Sequence, residues 1–391
     1  MKKLMILGAG IYQVPLIKTA KKMGLFTIVV SREGNYPGFQ FADRAYYIDT
    51  RDAEEILKVG KKEKISGICT FGTDVAVPSI GFVANIMNLP GITFEASILS
   101  ANKLKMKEAF KKGGVNSPAY FKVKDLKEII KAFDILKKPV ILKAVDNSGS
   151  RGIVKINERE DIEHAYNIAA DNTKKDYFII EEFIEGTESG AQGFIYNNEF
   201  KFIMPHMDIT AMNYTSFPII HCVPYKIGNE LEDKITEQLY KCAVALNLNN
   251  CAINADFIIK DNEIFIIEIG ARSGGNMLGE LTSIHYGFNY HQKIIECALD
   301  ERPDFKYDFL QPAASMTLFS PKNGTIKKIT DNNLPDSRIV DIYFDYKEGE
   351  RVNKFMVGSD RIGHILIKDR TAEDSLKFLQ DTRKNLEIVI E

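Results

Sequence analysis

Two acidic residues stand where acids are costly. The apolar run Cys251–Lys260 carries Asp256, and the apolar run 263–269 carries Glu268; both read as strands. If Asp261, Asn262 and Glu263 form a three-residue hairpin loop, Asp256 falls directly opposite Glu268 on one face, whereas a two-residue loop would put the two acids on opposite faces. Facing carboxylates repel and are expensive to desolvate, so a pair that stays ionised calls for a cation. Carboxylate oxygens bridged to phosphates are the usual setting for magnesium. Solvated strand-end acids are the bland alternative, and the apolar flanks argue against it. The turn that follows, Gly270-Ala271-Arg272-Ser273-Gly274-Gly275-Asn276, adds an anion-binding arginine.

Three more stretches could meet phosphate or nucleotide. The strand 139–145 sets Lys143 just before Asp146-Asn147-Ser148-Gly149-Ser150-Arg151-Gly152, and a second strand, Ile153–Ile156, follows. A Walker A loop has its lysine after the glycines and feeds a helix, so this strand-to-strand loop is a different solution that offers similar amides, hydroxyls and charge. The run Tyr177-Phe178-Ile179-Ile180 leads into Glu181-Glu182-Phe183-Ile184-Glu185-Gly186-Thr187-Glu188. Extended backbone there can pair with an adenine edge, and a carboxylate a few residues on can accept from ribose; an acidic turn is the plain alternative. Near the N-terminus, Gly8-Ala9-Gly10-Ile11-Tyr12-Gln13 follows a strand and opens a helix. Gln13 replaces the third glycine of a dinucleotide fingerprint, and no clean ribose-binding acid follows Val30, so a tight structural turn is the favoured reading.

These residues need a scaffold, and the chain is long enough to supply one. With 391 residues, two to four domains are expected. The 51 Lys+Arg nearly cancel 53 Asp+Glu, 45% of residues are hydrophobic and 27% charged; this excludes disorder and a dominant polyanion-binding surface. Five cysteines without CxxC spacing argue for buried thiols in a reducing, cytoplasmic setting rather than a disulfide framework or zinc site. The first apolar run reads as a strand, not a leader, and no window of about 20 apolar residues could cross a bilayer.

From Lys2 to about Thr93, apolar runs (KLMILGAG, FTIVVS, GICTFG, LPGIT) alternate with helices at about 12–23 and 53–62, which predicts a parallel sheet with covering helices. A lysine-rich helix at 100–112 and a boundary near 95–118 follow. The middle should hold three strand pairs: VILKAV with GIVKI, YFIIEEFI with ESGAQGFIY, and CAINADFIIK with EIFIIEIG. Beyond Pro303, SMTLFSP, IVDIYFDY, RIGHILIKD, a helix Ala372–Lys384 and LEIVIE predict a small α+β unit.

Taken in order, these motifs resemble the ATP-grasp superfamily of carboxylate-amine ligases over nearly the whole chain. The resemblance implies an α/β and α+β architecture. Residues 1–99 would form a Rossmann-like pre-ATP-grasp domain with a parallel sheet. A two-lobed ATP-binding domain would span 100–302, with a small lid lobe at about 118–185, and a small α+β domain 303–391. Asn102-Lys103 through Met106, then Gly113-Gly114-Val115 and Pro118, is similar to the family helix whose lysine touches nucleotide phosphates, which gives that role to Lys103. Lys143 matches the second phosphate lysine, and Ser148, Gly149, Ser150 and Gly152 the covering loop. Adenine would lie against Glu181, Glu182, Phe183 and Ile184, ribose against Glu188, magnesium (or manganese) on Asp256 and Glu268, and the reacting phosphoryl group beside the catalytic residues Arg272 and Lys143. One departure stands out: many members read Glu-x-Asn-x-Arg, and this chain has Gly270 at the asparagine. The Glu-Ile-Gly-Ala-Arg form resembles amino-acid and dipeptide ligases.

The implied reaction uses ATP to turn a carboxylate into an acyl phosphate, which an amine captures. A bicarbonate-using relative of carboxyaminoimidazole ribonucleotide synthetase is the alternative. An NAD-dependent oxidoreductase leaves the acidic pair unexplained, and a nucleotide sensor without turnover leaves the charged contacts idle. The resemblance implies small-molecule acid and amine partners and a homodimer, with no nucleic acid or membrane. Thr73, Asp74, His206, Asp208, Tyr214 and His221 are candidate substrate-lining groups; Met204-Pro205-His206-Met207 reads as packing, and the six histidines lack ligand spacing, so no catalytic histidine is expected.

Overall fold

The computed structural model describes residues 1–146, 152–210 and 218–391. Its N-terminal sheet is parallel, in the order β3-β2-β1-β4, with β1 (Lys3–Leu7), β2 (Phe26–Ser31), β3 (Arg44–Tyr47) and β4 (Gly67–Cys69). Helices α1 (Val14–Lys22), α2 (Ala53–Glu63) and α3 (Val77–Met87) connect and cover it. β1, β2 and β4 are almost wholly buried, as a parallel sheet with helices on its faces requires. The expected strand at LPGIT is absent: Pro90-Gly91 lie in a turn before α4 (Phe94–Ala101). β3 is an element that the sequence pattern did not reveal.

The single helix expected at 100–112 is two. Asn102 ends α4 in an extended conformation, and its side chain accepts from the Lys105 N–H at 3.1 Å to start α5 (Lys103–Gly113). That cap fixes the phase of the lysines, because Lys103 and Lys107 now lie one turn apart on one face.

A second, antiparallel sheet has the order β5-β8-β6-β7: β5 (Tyr120–Val123), β6 (Val140–Lys143), β7 (Ile153–Ile156) and β8 (Phe178–Glu182), packed on α6 (Leu126–Leu136) and α7 (Ile162–Asp171). β6 pairs with β7 as expected. β8 does not pair with the strand after it; it joins β5 and β6 here, while β9 (Thr187–Tyr196) enters the third sheet. The chain changes sheets at Phe183–Gly186.

That third sheet has eight strands in the order β13-β12-β9-β10-β11-β14-β18-β16. They are β9, β10 (Glu199–Thr210), β11 (Pro218–Val223), β12 (Cys251–Lys260), β13 (Glu263–Gly270), β14 (Ala313–Leu318), β16 (Ile339–Phe344) and β18 (Gly363–Lys368). A small sheet of β15 (Gly324–Asp331), β17 (Arg351–Val352) and β19 (Leu386–Ile390) stands beside it. Helices α8 (Asn229–Ala245), α9 (Leu278–Tyr286), α10 (Tyr290–Ala298) and α11 (Ala372–Lys384) cover these strands. The stretch 285–291 ends α9 at Gly287 and opens α10 with Asn289 as its cap. The expected C-terminal strands and helix are all present, and three of those strands extend the central sheet. All five cysteines are free and buried, and no described helix is long and apolar enough to cross a membrane.

Candidate active site

β12 and β13 place Asp256 directly opposite Glu268. The loop between them is nevertheless two residues long: Lys260 pairs with Glu263, and Asp261 and Asn262 take φ of 50° and 61°, the left-handed pair of a type I′ turn. The two acids still share a face because the register slips by one between Asp256 and Phe257, leaving Ile267 as a bulged extra residue. Asp256 is pushed well above the ordinary carboxylate range by burial and by Glu268. Burial also pushes Glu268 up, but the Lys103 ammonium outweighs it and holds the carboxyl low. Lys103 Nζ donates to Glu268 Oε2, while the Lys103 amide donates to Val145 O at 3.2 Å and ties α5 to the end of β6.

One turn further along α5, Lys107 is 1% exposed. Its Nζ stands 3.4 Å from Glu181 Oε2, and Lys143 Nζ donates to the same oxygen at 2.9 Å. Burial would raise Glu181; the two ammonium groups outweigh it and hold the carboxyl low. Burial lowers Lys107 to about 8. Among the described residues Glu181 Oε1 is buried without a partner, so the carboxylate expected at adenine is anchored by two lysines and keeps one acceptor unused there. Lys107 was missed in the sequence, where five lysines in KLKMKEAFKKG look alike; its i,i+4 relation to Lys103 was the available signal.

Arg272 reaches back to the N-terminal sheet: Nη2 donates to Asp74 Oδ2 at 2.6 Å, and Nη1 to Ser273 O at 3.3 Å. Its Nε is buried and has no partner among the described residues. The departure at Gly270 has a structural counterpart. A Cβ there would meet Asp74 Oδ1 at 2.5 Å, close to the ~2.4 Å separating Cβ from the amide oxygen within an asparagine of ordinary bond lengths. The Asp74 carboxylate therefore fills space that a side chain at 270 would need. Behind Asp256, Asn254 Nδ2 donates to Asp256 Oδ1 at 3.2 Å, Gln192 Nε2 donates to Asn254 Oδ1 at 2.5 Å, and the Gly274 amide donates to Gln192 Oε1 at 2.8 Å. This chain of bonds fixes the carboxylate to the glycine-rich turn.

The remaining expected residues fall as follows. Ser148, Gly149, Ser150 and Tyr214 lie outside the described residues. Gly152 takes φ +71° and its carbonyl accepts from Ala144 N at 2.8 Å, closing the start of β7 on the end of β6. Glu182 and Phe183 are part-buried, Ile184 is buried and Glu188 is exposed at the start of β9; Lys155 Nζ stands 3.7 Å over the Phe183 ring. Thr73 is part-buried beside Asp74. The glycine turn at Gly8–Gln13 is self-satisfied: Gln13 Oε1 accepts from the Gly10 amide at 2.9 Å and its Nε2 donates to Phe71 O. His206, Asp208 and His221, expected only as scattered lining groups, come together; Asp208 Oδ1 lies 2.7 Å from His206 Nδ1 and 2.5 Å from His221 Nδ1.

The donor set fits a divalent cation with a polyphosphate. Two facing carboxylates, one of them pushed up by burial and by the other acid, lie beside Lys103, Lys143 and Arg272 Nε.

Comparison with known proteins agrees with this. A family model described as "ATP-grasp domain" matches residues 136–280, and one described as "L-amino acid ligase C-terminal domain 2" matches 316–391. A crystal structure of phosphoribosylglycinamide synthetase from Anaerococcus prevotii is 36% identical, with a TM-score of 0.84 and 100% of both chains covered. L-amino acid ligase from Bacillus licheniformis shares the fold at 19% identity, with a TM-score of 0.81 over 100% of this chain and 99% of that one. Alanine–anticapsin ligase of Bacillus subtilis (strain 168) is 26% identical over 267 residues, 62% of this chain and 56% of that enzyme. The chain thus spans little more than half the length of that relative.

Proposed function

The chain belongs to the ATP-grasp family, and from that premise we propose that it is an ADP-forming ligase that joins a small carboxylic acid, an amino acid or a close analogue, to an amine. The observation that carries this reading is the convergence of four separate segments on one place: Lys103 from α5, Lys143 from β6, Asp256 and Glu268 from the hairpin, and Arg272 from the turn after it. The names of the relatives support the amino-acid side, since each of the three describes a ligase or synthetase of an amino acid or of its amide.

In this reading Asp256 and Glu268 hold magnesium, or manganese, which supplies positive charge to the phosphate oxygens. Lys103, Lys143 and Arg272 hold the polyphosphate and offset charge on the phosphoryl group in transfer; positioning and electrostatics are most of what that step asks of a protein. The backbone from Glu182 to Ile184 takes the adenine edge, Glu181 Oε1 accepts from it, and Glu188 takes the ribose. The loop ending at Gly152 covers the phosphates and keeps water from the acyl phosphate. The domain limits 1–99, 100–302 and 303–391 belong to the same proposal, as do a homodimer, small-molecule partners only and a cytoplasmic workplace.

The test is ADP release with ATP and magnesium across pairs of L-amino acids, other small acids and amines. The reading expects ADP only when an acid and an amine are both present. ADP formation that needs bicarbonate and no amino acid would replace it with the carboxylating alternative.

A further inference from the structure

One face of the eight-stranded sheet carries a second set of polar groups next to the carboxylate pair. Gly190 on β9 is opposite Asp256 on one side and opposite His206 on the other. Asp256 and His206 therefore rise from the same face, two strand spacings or about 10 Å apart, with no side chain between them. The glycine is required there: a Cβ would lie 2.5 Å from His206 Cε1 and 2.8 Å from its Nε2. The imidazole leans over the glycine, towards β12.

Asp208, two residues along the same face of β10, is paired in register with His221 of β11. Its Oδ1 takes both Nδ1 contacts, at 2.7 and 2.5 Å, and both Nε2 atoms are buried without a partner among the described residues. The cluster is compact enough for a metal ion, but its spacing argues against one held by these three atoms: donors ~2.0–2.1 Å from a tetrahedral zinc must stand about 3.3 Å apart. Contacts of 2.5–2.7 Å are hydrogen bonds from two Nδ1–H groups to one carboxylate. In a neutral ring such a contact puts the hydrogen on Nδ1 and the lone pair on Nε2, and among the described residues neither Nε2 meets a donor. Burial would raise Asp208, but the charge and the hydrogen bonds of the two histidines outweigh it and hold the carboxyl low, as the orienting acid of such an arrangement must be.

We propose that the His206–Asp208–His221 cluster is the amine end of the active site, in which His206 Nε2 takes a proton from the ammonium group of the incoming amine. The proposal rests on the ligase reading above. An alkylammonium must shed two protons to become an amide. His206 takes the first, freeing the nitrogen lone pair to form the C–N bond with the acyl carbon. As the C–O bond to phosphate breaks, the leaving phosphate takes the second. His221, held by the same carboxylate, fixes Asp208 and gives the remaining Nε2 acceptor for the ammonium. Glu188 of β9, Asp256 of β12, Asp208 and His221 are the titratable groups that face His206 from the strands around it.

The test separates amine activation from the ATP half-reaction by using hydroxylamine, which is already uncharged at neutral pH. The full chain, ATP, magnesium and the standard L-amino acids as acids are assayed with either L-alanine or hydroxylamine as the nucleophile. His206→Gln should lower amide formation by about 10²- to 10⁴-fold, keep hydroxamate formation near wild type, and lose the acidic limb of the amine-dependent pH profile. Asp208→Asn should do the same to a lesser degree. Equal loss of both products in His206→Gln, loss of neither, or stoichiometric zinc in the purified protein that His206→Gln abolishes would each overturn the proposal. If the wild type makes no hydroxamate with any acid, the ligase reading itself fails and takes this proposal with it.

Discussion

Glu181 and Asp256 are both acids set into apolar strands, and the molecule treats them in opposite ways. Glu181 receives two ammonium groups from α5 and β6 and is held low; Asp256 faces another carboxylate and is pushed up. The first nest is balanced by the protein alone, and the second is left short of positive charge. On the proposed reading, the difference separates the part of the site that the fold completes from the part that a ligand completes.

The sharpest way to break this contrast is Glu181→Gln. It strands Lys107 and Lys143 in the interior, and removing one partner of a buried ion pair costs about 3–5 kcal/mol; urea denaturation should show that loss with or without magnesium. Next, Glu268→Ala and Lys143→Ala should each cut substrate-dependent ADP release by about 10²- to 10³-fold while the protein stays folded, and wild-type-like turnover in either variant would remove that residue from the mechanism. Third, Gly270→Asn presses on the Asp74 carboxylate and should cost about 1–3 kcal/mol, with the Asp74–Arg272 pair displaced; Asp74→Ala in the same chain should recover most of that stability.

The smallest effect concerns the unbalanced nest. Asp256→Asn removes a like-charge contact and should stabilise the metal-free protein by on the order of 1 kcal/mol while abolishing the thermal shift that magnesium gives. The pH dependence has a definite sign. A carboxyl raised in the folded state binds its proton more tightly than in the unfolded chain, so its contribution is fully present below ~3.9 and is lost as pH rises through the raised folded value. Metal-free wild type should therefore lose stability over that interval, and Asp256→Asn should flatten the slope in a pH series of melting curves.

Most of the site was legible because its chemistry runs against its surroundings: acids at 256 and 268 and a lysine at 143 interrupt apolar strands. The sequence points to the facing of Asp256 and Glu268 through a longer loop, whereas a tight turn and a bulge at Ile267 produce it; Ile264, Phe265, Ile266 and Ile267 are all apolar, so there is no alternation for the extra residue to interrupt. The pairing of β8 departs from the hairpin that the short stretch Phe183–Gly186 suggests, because the tertiary arrangement sends β9 to another sheet. His206 and Asp208 carried an i,i+2 signal for one strand face, but their link to His221 depends on cross-strand register. Asp74 over Gly270 joins residues 196 positions apart, which no local pattern records.

The central claim is that the facing carboxylates are completed by a metal-bound nucleotide. Calorimetric titration of ATP into wild type and into Glu268→Gln, with and without magnesium, tests it most directly. The account predicts that tight ATP binding by the wild type requires magnesium and that the variant loses the magnesium-dependent part. Binding that is indifferent to magnesium, or unchanged in the variant, would contradict it.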